Sequence, residues 1–134
     1  GFDFSYSGLK TAVINYCHNH EQKGERWSRA DVAASFQSAA CGVLVESAAE
    51  AARAKGCKTV AAGGGVVANG YLRGLLAERC AREGIRLVLP EKKYCTDNAA
   101  MIAAEGLMQY RAGNFADLTV NACAHIPLGK KGKQ

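Results

Sequence analysis

The chain has 134 residues, of which 49% are hydrophobic and 22% charged, with a formal net charge of +5. This length suits about one domain, and the composition excludes a disordered or low-complexity polypeptide. The six cysteines are widely spaced without a Cys-x-x-Cys pair, so neither a disulfide framework nor a zinc-finger site is predicted. Without a signal peptide or a long apolar run, the sequence predicts a cytoplasmic protein that does not enter a membrane.

Helices are predicted in the first 57 residues. Ser7 is placed to cap a first helix, which ends in the polar stretch 19–24. Ser28 and Asp31 have the form of a capping box, and apolar residues at helical spacing then continue towards Gly56. The second helix is therefore expected to be long.

A strand followed by a helix is then predicted twice. Residues 59–62 form a short buried strand before three glycines and a helix at 69–82, and the strand at 85–89 precedes a helix at 98–110. Strand, helix and strand in this order imply a right-handed crossover and a parallel pair. The fold class is therefore α/β, with a helical segment at 1–57, a strand–helix–strand–helix segment at 58–113 and a tail at 114–134.

The glycines after the first strand predict a site for an anion. Gly63, Gly64 and Gly65 expose backbone N–H groups without side chains, and a helix amino terminus follows them. The loops after two parallel strands meet at one edge of the sheet, where ligands bind in open α/β folds. A lysine-bearing P-loop is excluded, because Tyr71 stands where its lysine would be.

Other interpretations of this segment remain open from the residues alone. Gly63, Gly65 and Ala68 also satisfy the dinucleotide-binding pattern G-x-G-x-x-A, and Glu91 lies near the position of a ribose-binding carboxylate. The glycines could instead only turn a strand into a closely packed helix, and Asn69 could be only its N-cap. A module for protein interaction would need nothing more than these structural roles.

Asp97 has a similar ambiguity. At the start of a predicted helix its carboxylate is stabilised by the helix dipole, yet a carboxylate in a crevice is also a hard oxygen ligand for a metal. One carboxylate cannot hold a catalytic metal, so any metal site would need further ligands from outside this chain.

Five blocks of the sequence together resemble the carboxyl-terminal part of the TsaD family, the bacterial tRNA threonylcarbamoyltransferase subunit once labelled a glycoprotease. The blocks begin at Asp3, Ala30, Ala61, Cys95 and Asn114 and read DFSYSGLKTAV, ADVAASFQ, AAGGGVVANGYLR, CTDNAAMIA and NFADLTVNACAHIPLG. The resemblance covers essentially the whole chain, and the blocks occur in the family's order.

The resemblance implies a portion of a two-lobed fold of the actin, hexokinase and sugar-kinase (RNase H-like) type. It implies transfer of a threonylcarbamoyl group from threonylcarbamoyl-adenylate to N6 of the adenine beside the anticodon, without a catalytic nucleophile from this chain. Asn69 would contact the adenylate substrate or ATP, Gly64 and Gly65 would line its phosphate, and Asp97 would ligate iron or zinc. The implied partners are tRNA, TsaB-like and TsaE-like proteins, and the missing amino-terminal lobe.

The sequence departs from the family pattern in one respect. The family's metal site also uses a His-x-x-x-His pair, and no such pair occurs in this chain. The resemblance therefore predicts that the chain alone is inactive and binds metal weakly.

Overall fold

The computed structural model describes residues 2–122. In chain order the helices and strands are α1 (Leu9–Gln22), α2 (Arg29–Ala54), β1 (Thr59–Ala61), α3 (Gly70–Arg82), β2 (Arg86–Val88) and α4 (Ala99–Arg111), with 3₁₀ helices at Gly65–Ala68 and Lys92–Tyr94. The predicted helices and strands are confirmed in type and order. The chain divides into two compact units, the first ending at Thr96 and the second beginning at Asp97. This boundary falls inside the predicted 58–113 segment.

The strands β1 and β2 form a parallel pair, which confirms the predicted pairing of two strands separated by a helix, α3. Their register pairs Thr59 with Arg86, Val60 with Leu87 and Ala61 with Val88. Val60 and Leu87 are half-buried, whereas their neighbours in each strand are exposed. The prediction that the first strand is buried is therefore wrong, because only one of its sides faces the core. The alternation places one side of this short sheet towards the core.

The core of the first unit lies between α2 and α3. Cys41 and Val45 of α2 meet Leu72 and Leu76 of α3, and Leu87 of β2 packs against them. Each helix contributes a pair of residues four positions apart, the spacing that places side chains on one helical face. Burying an aliphatic side chain of this size contributes about 1.5–3 kcal/mol, so this contact is the main support for the packing of α3 on α2.

The predicted helix starts are partly right. The Oγ of Ser28 accepts a hydrogen bond from the backbone N–H of Asp31 at 3.2 Å, so Ser28 is the N-cap of α2. Ser7 as the cap of the first helix is wrong: α1 starts after Gly8, and Gly8 supplies no side-chain cap. Gly8 has a φ of 85°, so a glycine, rather than a serine oxygen, allows the chain to enter this helix.

An ion-pair network also joins α2 to α3. The Arg79 guanidinium donates to both carboxylate oxygens of Glu46 in α2 and, through Nε, to Glu83 at 2.5 Å. The hydrogen bond from Arg79 lowers the pKa of Glu83 below its ordinary value of 4.5. Glu83 therefore remains ionised to lower pH in the folded chain than in an unfolded one.

Among residues 2–122, α2 alone is long and apolar enough to cross a bilayer by length and composition. A core helix of a globular protein passes the same test. Only 17% of the apolar window of α2 is buried, and the buried residues of this helix are Cys41, Val45, Ala49 and Ala52.

The second unit begins just before α4. The Oδ1 of Asn98 accepts a hydrogen bond from the backbone N–H of Met101 at 3.0 Å, which makes Asn98 the N-cap. No residue of α4 is buried, and Ile102 and Met108 expose 65% and 67% of their surface. Within the described residues, α4 therefore has no buried side chain that fixes it by packing.

Candidate functional site

Two loops of the first unit meet at the carboxyl ends of the parallel strands. The glycine turn (62–69) follows β1, and the lysine turn (89–96) follows β2. A Cβ built on Gly65 would lie 3.9 Å from Cγ2 of Thr96, and one built on Gly70 would lie 3.7 Å from Nζ of Lys92. These distances are ordinary van der Waals contacts, so the predicted convergence of the two loops within this unit is confirmed.

Gly64 explains why the chain needs glycine here. Its φ of 93° and ψ of 169° lie in a region that is essentially restricted to glycine. Gly63 and Gly65 have no positive φ, and a Cβ on Gly63 would meet no atom within 4 Å. The backbone therefore requires one of the three consecutive glycines, and the other two leave the turn open to a ligand.

The glycine turn leaves hydrogen-bond donors available. Its internal bonds run from Val67 N–H to the Gly64 carbonyl and from Asn69 N–H to the Val66 carbonyl, both at 3.0 Å. In the described part of the chain, the N–H groups of Gly64 and Gly65 donate to no other backbone group. The amino terminus of α3 follows directly, and its partial positive charge also favours an anion. The turn therefore combines unused donors with a favourable electrostatic field.

Asn69 has a structural role that leaves part of its amide free for a ligand. Its Oδ1 accepts from the backbone N–H of Leu72 at 3.1 Å, so the N-cap interpretation is correct. Its Nδ2 donates to Oε1 of Gln37 in α2, also at 3.1 Å. Because an amide nitrogen carries two hydrogens, the second can still donate to a ligand. Capping and ligand binding are thus compatible in this residue.

A cavity of about 480 Å³ opens beside Asn69 between α1, α2 and the glycine turn. Tyr6, Phe36 and Val66 line it with largely apolar surface. The Tyr6 hydroxyl donates to the carbonyl of Ala40 at 2.7 Å, and burial raises the pKa of this phenol above its ordinary value of 10.0. Tyr6 is therefore a neutral donor at physiological pH, and the wall of the cavity carries no phenolate charge.

The lysine turn presents charged groups. Lys92 reaches the start of α3, as its distance to Gly70 shows. The Glu91 carboxylate, 70% exposed in its side chain, pairs with Nζ of Lys93 at 2.9 Å. The dinucleotide interpretation assigns this carboxylate to a ribose, but in the structure it is solvated and already paired with a lysine.

Asp97 begins the second unit, immediately before the residue that caps α4. The capping role at this helix therefore belongs to Asn98, and the Asp97 carboxylate is not required for it. The predicted proximity of Asp97 to Asn69, which lies in the first unit, stays a prediction.

The sequence model of the family TsaD, tRNA N6-adenosine threonylcarbamoyltransferase, matches residues 1–104, which include both turns and Asp97. The chain belongs to this family. Curated relatives with the same name include proteins of Clostridium botulinum strain 657, 43% identical over 129 residues, and of Caldicellulosiruptor saccharolyticus, 44% identical over 131 residues. A third, from Lactobacillus delbrueckii subsp. bulgaricus, is 49% identical over 129 residues. These alignments cover 96%, 98% and 95% of this chain.

The chain spans 38%, 39% and 37% of the length of these three relatives. Every site residue named by the resemblance lies inside the matched range, as does Gly64 with its glycine-restricted conformation. Membership of the TsaD family favours the transferase over the dinucleotide-binding interpretation, which rests on a short glycine pattern and on Glu91.

The described residues of this TsaD-family chain do not fit a metal ion by themselves. No group of three histidine, cysteine, aspartate or glutamate side chains is placed to hold one within residues 2–122. The five cysteines in this range are free thiols, while Cys123 and His125 lie outside it. Asp97 alone is one oxygen ligand, too few for a stable site.

Sequence reasoning missed Gln37 and Arg73. Gln37 lies within one of the blocks that carry the family resemblance, and Arg73 ends another, but neither was assigned a role. Both make hydrogen bonds to the residues or turns of the candidate site.

Proposed function

We propose that this chain is part of an enzyme that transfers a threonylcarbamoyl group from its adenylate to N6 of the adenine beside the anticodon in tRNA. The observation that carries the proposal is the family match over a segment whose two turns converge beside Asn69. The whole enzyme has the length of the relatives and the two-lobed actin, hexokinase and sugar-kinase architecture, of which this chain supplies a portion.

In this proposal the adenylate lies across the glycine turn. The N–H groups of Gly64 and Gly65 donate to its phosphate, aided by the amino terminus of α3 and by the charge of Lys92. The free amide hydrogen of Asn69 contacts the nucleotide, while Gln37 holds the amide in place. The apolar cavity beside Asn69 has room for the adenine ring.

The chemistry needs no nucleophilic side chain from this chain. The tRNA amine attacks the carbonyl carbon of the threonylcarbamoyl group, the bond from that carbon to the phosphate oxygen breaks to release AMP, and the amine nitrogen loses one proton to solvent. Negative charge grows on the departing phosphate, where fixed backbone donors stabilise it more than the ground state. The contribution of the described residues is thus orientation and electrostatic stabilisation.

Asp97 is proposed as one ligand of an iron or zinc ion, with the remaining ligands supplied by the amino-terminal lobe. The partners proposed for the complete enzyme are tRNA and proteins of the TsaB and TsaE types, in the cytoplasm. Since this chain lacks the His-x-x-x-His pair, the 134 residues alone are expected to form no product.

The proposal is tested with Asn69→Ser and Asp97→Ala in a full-length protein that carries this chain. Serine keeps an oxygen that can cap α3 but removes the amide donor, so folding is preserved while the ligand contact is lost. We expect product formation, measured by mass spectrometry of nucleosides from modified tRNA, to fall by about a hundredfold in each variant.

Asn15→Ser, on the exposed surface of α1, is the matched control and should retain full activity. Undiminished transfer by both site variants would refute the assigned roles. Calorimetry with ATP and with NAD distinguishes the transferase from the dinucleotide-binding module. NAD binding that depends on Glu91 would favour the dinucleotide-binding module.

A further inference from the structure

Arg73 of α3 contacts both turns of the candidate site. Its Nη1 donates to the carbonyl of Val67 in the glycine turn at 3.2 Å. Its Nη2 donates to the carbonyl of Pro90 in the lysine turn at 2.9 Å, and Nη1 also lies 3.8 Å from Sγ of Cys95. A single guanidinium therefore bridges loops that belong to different strands.

Arg73 donates to uncharged acceptors in the described residues. Of the ion pairs described in residues 2–122, none includes Arg73; its hydrogen-bond partners are two carbonyls and a thiol. The side chain is half-buried, so these contacts are partly protected from water. Hydrogen bonds from a charged donor are stronger than those between neutral groups, and the planar fork of arginine can bridge two acceptors at once.

Cys95 extends the connection within the lysine turn. Its thiol, 3% exposed, donates to the carbonyl of Glu91 at 3.5 Å while its sulfur lies beside Arg73. Arg73 thus contacts the lysine turn both at its start, through Pro90, and near its end, through Cys95. Without the guanidinium, the Val67 and Pro90 carbonyls would lose a partner, and the two turns would lose the hydrogen bonds by which Arg73 joins them.

We propose that Arg73 is a positioning residue, which fixes the glycine turn and the lysine turn in the arrangement that receives the ligand. It does so through its hydrogen bonds to the backbone carbonyls of the two turns, without touching the ligand. This inference rests on the proposed function for the identity of the ligand, and on the geometry alone for the connection of the turns.

The first measurement is the rate of iodoacetamide labelling of each cysteine in this chain, resolved by peptide mass spectrometry. Arg73→Met keeps an unbranched side chain but removes every donor. We expect labelling of Cys95 to rise about tenfold, because loss of a charge-assisted bond allows the turn to open locally. Cys80, buried in α3, reports global unfolding and should be unchanged. Arg82→Met, on the exposed face of the same helix, is the matched control.

The second measurement is ATP affinity by calorimetry in a full-length protein that carries this chain. Arg73→Met should weaken ATP binding about tenfold, Arg73→Lys should recover part of the loss because it keeps one charged donor, and Arg82→Met should not differ from wild type.

Unchanged Cys95 labelling in Arg73→Met would overturn the proposal, as would a parallel rise at Cys80 in both Arg73 variants. Faster Cys95 labelling with wild-type ATP affinity would overturn the role in positioning the site. If the wild-type protein binds no ATP, the proposed function fails, while the labelling of Cys95 still decides whether Arg73 holds the two turns together.

Discussion

Helices α3 and α4 are capped in the same way but differ in how far their residues are buried. Each follows a strand of the same parallel pair and a 3₁₀ helix, and each begins after an asparagine whose Oδ1 accepts a backbone N–H three residues later. Yet α3 buries Leu72, Leu76 and Cys80, whereas α4 buries none of its residues. The two helices therefore share their mode of capping and differ in burial.

The difference separates two sources of helix stability. Most of the stability of a helix in a protein comes from packing of its apolar face, because short helices are marginal in water. The α3 helix has that packing through α2; Asn69 caps it and Arg73 lies in its first turn. Residues of the candidate site in the first unit are thus held on a packed element, while Asp97 precedes a helix without buried contacts.

The largest expected effect is in the core. Leu76→Ala removes a side chain that is 4% exposed, and we expect the free energy of unfolding to fall by about 2–5 kcal/mol. Leu107→Ala is the matched change in α4, where the side chain is 50% exposed, and should alter it by less than about 0.5 kcal/mol. Urea denaturation followed by circular dichroism measures both, and equal losses would show that α4 is packed as firmly as α3.

The sequence was sufficient to predict the elements but not the contacts between them. Helix and strand positions depend on residue spacing and caps over a few positions, so the parallel pair and the asparagine at the start of α3 could be predicted. The bonds of Asn69 to Gln37 and of Arg73 to Pro90 join residues 32 and 17 positions apart. No periodic pattern in one sequence indicates which side chains meet over such separations.

The failed prediction of the first cap has a similar cause. Ser7 is an acceptable N-cap by residue type, but a cap also requires the backbone to enter the helix at that residue. The left-handed conformation of Gly8 moves the entry one position later, to Leu9. A local pattern therefore identified the helix and misplaced its first residue.

The two turns differ in backbone strain. This difference predicts a smaller change in the free energy of unfolding than the core substitution does. Gly64→Ala forces a Cβ into a conformation that only glycine adopts readily, and should lower the free energy of unfolding by about 1–3 kcal/mol. Gly63→Ala and Lys92→Ala, at positions without positive φ, should change it by less than about 0.5 kcal/mol. The same urea titrations test this, and a large loss in Gly63→Ala would show that the turn requires more than one glycine.

The smallest expected effect is an increase in the free energy of unfolding, and it tests directly whether packing distinguishes the two helices. Gly74 in α3 and Gly106 in α4 are both helical, without positive φ, and a Cβ on either would meet nothing within 4 Å. Gly74→Ala should raise the free energy of unfolding by about 0.5–1 kcal/mol, because alanine loses less backbone entropy. Gly106→Ala should instead raise the helical signal of the native chain and leave the urea midpoint unchanged, since no residue of α4 is buried. A shift of the midpoint by Gly106→Ala as large as that by Gly74→Ala would mean that the two helices unfold together.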